Sequence, residues 1–90
     1  MLVKNVVGSS ELEPPYGYSS WLDYWEKYKG RKAVVCKIAN EPCFNTKIVG
    51  AHVQKVDSQD RRYYIVPLCY SCNKRDDIFN IDEETLVPAP

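Results

Sequence analysis

Apolar and polar residues alternate most regularly across residues 47–56 and 62–66, two β-branched, aromatic-rich runs joined by Asp57-Ser58-Gln59-Asp60. That pattern, with a polar turn between the runs, predicts a β-hairpin. Upstream, Trp21, Trp25 and Tyr28 recur at the spacing of a single helical face, widened by Leu22. Ser20 is a favourable N-cap with Asp23 three residues on, and Gly30 suits the position just past the last turn, so a helix is expected over residues 20–29 with its aromatic face on a sheet. Residues 32–38 read as a further strand through Val34 and Val35. A short helix is expected over 70–77, and Leu86-Val87-Pro88 suits a short edge strand. Residues 1–18 carry Gly8, Ser9, Ser10, Pro14, Pro15 and Gly17 and are expected to be irregular. The implied class is α+β, with one domain over 19–90 after that irregular segment.

The chain has 90 residues, enough for one small domain. A core of this size buries only about 60–65% of the unfolded surface and is marginal unless something staples it. Twelve basic and twelve acidic residues give a net charge of zero, which counts against a dedicated nucleic-acid binder. No apolar run is long enough to span a bilayer. The chain opens Met1-Leu2-Val3-Lys4 without an apolar leader pattern, so a cytoplasmic location and no membrane partner are expected.

Four cysteines change the picture. Cys69 and Cys72 form a Cys-x-x-Cys pair at the expected start of a helix, and Cys36 and Cys43 form a second, looser pair ahead of the hairpin. Two thiol pairs with this arrangement point to a zinc ribbon or treble-clef site, and a structural Zn²⁺ is the expected cofactor. The six-residue gap between Cys36 and Cys43 exceeds the usual two to four, so that half is the weaker. Zinc binding contributes roughly 10–16 kcal/mol of apparent free energy to folding in small domains, which suits so small a core. Two disulfides or a redox dithiol are competing readings. The only histidine, His52, lies between the pairs and is a further candidate ligand in place of one cysteine.

The order thiol pair, hairpin with histidine, thiol pair, helix resembles the HNH endonuclease family, over about residues 33–75. The resemblance rests on Gly50-Ala51-His52-Val53 and on Tyr64-Ile65-Val66-Pro67-Leu68-Cys69-x-x-Cys72-Asn73. It implies a zinc-stabilised treble-clef ββα core with an added N-terminal helix. It also places His52 at the general-base position and Asn73 at a position that would hold Mg²⁺, with Lys74 or Arg75 on phosphate. Two parts of that machinery are replaced. Ala51 stands where a metal-binding acid is expected, and Tyr64 stands where an asparagine would orient the histidine. Alanine offers no oxygen to a hard cation. Asp57, Asp60 and Asp76 lie nearby, but their spacing does not match. The expectation is therefore a degenerate, non-catalytic zinc module serving an unidentified protein partner. A metal-dependent DNA endonuclease is the alternative.

Overall fold

The computed structural model describes residues 1–8, 12–38, 43 and 47–90. Among these residues the fold is one helix on a five-stranded antiparallel sheet, a mixed α+β arrangement. The elements are β1 (Leu2–Asn5), α1 (Trp21–Lys29), β2 (Ile48–Lys55), β3 (Tyr64–Cys69), β4 (Phe79–Asn80) and β5 (Val87–Pro88). Their order across the sheet is β4-β1-β2-β3-β5.

The hairpin forms as its alternation predicts. β2 and β3 pair from Ile48↔Cys69 to Val53↔Tyr64, and the turn uses Asp57 in the left-handed region at φ 58°. β3 runs further than expected, because Pro67 lies inside it rather than ending it. In a strand, the nitrogen and carbonyl of one residue point to the same side. The Pro67 carbonyl accepts from the Lys37 amide at 3.0 Å, away from β2, so its ring nitrogen also faces the edge and removes no ladder bond.

α1 begins and ends as its caps dictate. Ser20 Oγ accepts from the Asp23 amide at 3.0 Å. Gly30, at φ 71°, donates its amide to the Glu26 carbonyl at 2.8 Å. The helix packs on one face of the sheet, where Trp25, Ile65 and Val87 are fully buried. The Trp25 indole donates to the Thr85 carbonyl at 2.8 Å. Tyr28 departs from the expected core stripe. It is 59% exposed, with its ring tilted against Tyr24 at a centroid distance of 6.1 Å.

The opposite face of the sheet holds a second cluster that includes Val3, Ala51, Val53, Val66, Leu68 and Phe79. This two-sided burial explains the largest departure at the N-terminus. Leu2–Asn5 is a strand rather than irregular, pairing with β2 on one side and β4 on the other, and Val3 is wholly buried. Four residues are too few to show alternation, and the Gly and Pro punctuation begins only after them.

The strand expected at 32–38 does not form. Its β-branched residues find no ladder partner: Val34 is 72% exposed, and pairing reduces to an isolated Ile38↔Ile81 bridge. β-Propensity reflects packing on a pleated surface, and here that surface is missing. The helix expected at 70–77 is a single 3₁₀ turn over Cys72–Lys74, with Arg75 already extended. The run Asn40-Glu41-Pro42-Cys43-Phe44-Asn45 reads from its sequence as a loop carrying the second thiol, and all of it except Cys43 lies outside the described residues. The expected C-terminal edge strand is present as β5. No helix among the described residues is long and apolar enough to cross a membrane.

Candidate metal centre and the histidine cleft

Cys69 ends β3, Cys72 opens the 3₁₀ turn, and Cys36 sits on the segment docked to β3 through the Lys37–Pro67 hydrogen bond. With Cys43, their four Sγ atoms all lie within 4.8 Å of one another. The Cys72 amide donates to Cys69 Sγ at 3.3 Å, which folds the Cys-x-x-Cys segment into a tight knuckle.

The knuckle is also held from a distance. Asn5, at the end of β1, donates its side-chain amide to the carbonyls of Cys72 at 3.0 Å and Arg75 at 2.9 Å. This contact ties the first residue of the 3₁₀ turn and the residue just past it to the end of β1. The sequence offers no local signal for it, because the partners are about seventy residues apart.

The thiols crowd one another electrostatically. At Cys69, burial opposes ionisation, but hydrogen bonds from Cys43, from the Cys72 amide and from the Cys72 and Cys36 thiols outweigh it and bring the group down to about 7. Cys72 moves the other way, pushed up by burial, by its hydrogen bond to Cys69 and by the charge of Cys36. One thiolate therefore forms at the expense of its neighbours, and a divalent cation among them removes that conflict. A tetrahedral site with metal–sulfur bonds of about 2.3 Å places its sulfurs about 3.8 Å apart, so the cluster is compatible with a structural metal such as zinc.

His52 is not part of the thiol cluster. Residues 51 and 53 of β2 face the second cluster, and His52 alternates to the helix face, where it is 3% exposed. Trp21 meets it edge-on with ring centroids 4.3 Å apart. Burial holds its imidazole below the ordinary 6.5, and Nε2 is buried without a hydrogen-bond partner among the described residues. His52 and Asn73, widely separated in sequence, line one cleft of about 390 Å³ between the start of α1 and the knuckle.

Gly50 makes this packing possible. A Cβ at that position would lie 2.5 Å from the Leu22 nitrogen and 2.6 Å from the Trp21 carbonyl carbon. The helix thus begins directly against the backbone of β2.

The remaining sequence candidates are dispersed. Lys74 lies over the Tyr70 ring at 4.1 Å, and Lys47 lies 5.0 Å from the same ring. Arg75 pairs with Asp77 through Nε at 2.8 Å and stacks on Phe79. Ala51 is buried in the second cluster. Tyr64 donates its hydroxyl to Asp60, which also takes two bonds from the Arg62 guanidinium at 3.1 and 3.2 Å. Those bonds from Arg62, then the one from Tyr64, hold the Asp60 carboxyl well below the usual range. Comparison with protein-family models, curated proteins and solved structures gives no match for this chain.

Proposed function

We propose that the protein is a zinc-stabilised module with a degenerate HNH-like ββα core, non-catalytic and acting through a partner. The observation that carries this reading is the convergence of Cys36, Cys43, Cys69 and Cys72 within 4.8 Å. A set of four thiol donors selects a thiophilic ion, and zinc suits it without demanding a redox role. The order hairpin, Cys-x-x-Cys knuckle and short helical turn is consistent with a reduced treble-clef core.

Two features support loss of cleavage. His52, at the position of the general base, is capped by Trp21 and 3% exposed, out of reach of a duplex backbone. The neighbouring position is Ala51, so no carboxylate stands there to hold a divalent ion against a phosphate.

One observation favours the nuclease alternative: His52 and Asn73 share a cleft, with Lys74 next in the chain. Plasmid nicking with Mg²⁺, Mn²⁺ or Ni²⁺ separates the two readings, run beside elemental analysis of the purified protein. One zinc per chain with no nicking in wild type or His52→Ala supports the module. Nicking by wild type that His52→Ala abolishes establishes the endonuclease instead.

A further inference from the structure

The thiols of the cluster differ in how far a small reagent can reach them. Cys36, Cys43 and Cys72 are part-exposed, whereas Cys69 is 1% exposed. Cys72 lies directly over the buried one, because its amide donates to Cys69 Sγ at 3.3 Å, and all four sulfurs are within 4.8 Å of one another. A reachable thiol with a second thiol beside it converts an oxidised sulfur into a disulfide instead of leaving it to climb to irreversible oxides. The cluster also joins two parts of the fold that little else connects. Among the described residues, the backbone ties of the Cys36 segment to the sheet are the Lys37 amide on the Pro67 carbonyl at 3.0 Å and the isolated Ile38↔Ile81 bridge. Yet that segment covers core, since Ile38 belongs to the second cluster and Cys36 packs against it.

We propose that the four thiols form a redox-sensitive fastener: a hydroperoxide oxidises Cys72 and Cys69 to a disulfide, the ion leaves, and the domain unfolds. The inference rests on reading the cluster as a metal site. In the first step the Cys72 thiolate attacks a peroxide oxygen. The O–O bond breaks, the departing alkoxide or hydroxide takes a proton from solvent, and Cys72 becomes a sulfenic acid. The Cys69 thiolate then attacks that sulfur. Its S–OH bond breaks, the hydroxide leaves as water after taking a second proton, and the S–S bond forms. The two sulfurs together lose two electrons and the peroxide gains them. A disulfide sulfur carries no thiolate charge to offer a cation, so the site falls from four donors to two. Cys36 and Cys43 alone do not make the tetrahedral set of a structural zinc. The Cys36 segment is then left with its two backbone ties, and a core this small loses the staple that folds it. The module is therefore competent for its partner only while its thiols are reduced.

The test treats the purified full chain, its zinc content measured first, with hydrogen peroxide. Ion release is followed with a chromogenic chelator, the thiols by peptide mass mapping and the fold by circular dichroism. One zinc released for each Cys69–Cys72 disulfide, with loss of the cooperative thermal transition, is the expected result. Dithiothreitol with added zinc should restore both ion and fold. Because the wild-type chain is read directly, no cysteine variant has to fold. Retention of the ion under peroxide that fully oxidises a free Cys-x-x-Cys peptide overturns the proposal. So does a first disulfide that crosses between the two pairs, or passage of Cys72 to sulfinic acid without a disulfide. Protein purified without an ion overturns the metal reading and this proposal together, whereas zinc-loaded protein that resists peroxide overturns this proposal alone.

Discussion

The Trp21 indole meets the His52 imidazole edge-to-face, with centroids 4.3 Å apart and an interplanar angle of 81°. One residue comes from the first turn of the helix and the other from the middle of the hairpin. The contact fixes how α1 sits on β2 and puts the only histidine of the chain under an aromatic lid.

Removal of the ion should unfold the domain. Purified protein is expected to carry one zinc per chain, and a chelator should abolish its cooperative thermal transition. Cys69→Ser and Cys72→Ser, at the knuckle itself, should lose the metal more readily than Cys43→Ser. Elemental analysis alongside circular dichroism reads both effects. Intact disulfides by mass spectrometry, or a folded metal-free chain, would count against the assignment.

Gly50→Ala should destabilise strongly, toward or beyond the upper end of the roughly 1–3 kcal/mol typical of overpacking. The new methyl meets the Leu22 nitrogen at 2.5 Å and the Trp21 carbonyl carbon at 2.6 Å, both backbone atoms that cannot step aside without moving the helix. Denaturant unfolding of the metal-loaded variant measures the loss. A change under about 0.5 kcal/mol would show that the helix seats differently.

The aromatic stripe should divide in two. Trp25→Ala removes a fully buried ring and its bond to Thr85, and should cost about 3–5 kcal/mol. Tyr28→Ala, on an exposed residue, should stay within roughly 0.5 kcal/mol. Equal effects in equilibrium unfolding would contradict the observed seating of α1.

Acidification should weaken the fold through His52. Burial lowers its folded-state pKa below 6.5, so as pH falls through 6.5 the unfolded chain binds a proton that the folded chain refuses. Stability is therefore intact above that range and declines below it. His52→Gln should flatten this part of the curve. Thiol protonation also releases metal in acid, but it affects wild type and variant alike, so the difference between their unfolding curves isolates His52.

Asn5→Ala should loosen the knuckle without touching a thiol. It leaves the Cys72 and Arg75 carbonyls without their donor, and the metal should leave several-fold faster in a competition assay with a chromogenic chelator. An unchanged release rate would mean that the thiols alone hold the turn.

Several of these features were legible in the sequence because they are local. Ser20, Asp23 and Gly30 bracket α1 through contacts three or four residues apart, and the sequence shows such contacts directly. The β2–β3 hairpin was legible for the same reason, its alternation and turn being continuous. The thiol spacing named the four cysteines as a group. The segments that depart from their local pattern are those whose fate depends on remote partners. Val34 and Val35 carry strand propensity but meet no strand, whereas Leu2–Asn5 carries little pattern and becomes an interior strand.

By itself, then, the sequence determined the cysteine set, the helix with its caps and the hairpin with its register-setting alternation. Only the tertiary structure decided that the four thiols meet, that Asn5 restrains the knuckle, and that Trp21 closes over His52 against Gly50. The physical reason is range. Caps and alternation act between near neighbours along the chain. The Asn5 clamp and the Trp21–His52 lid exist only once β1, α1 and β2 have been brought together by burial on both faces of the sheet, and the thiol cluster only once the Cys36 segment has docked on β3 beside the knuckle.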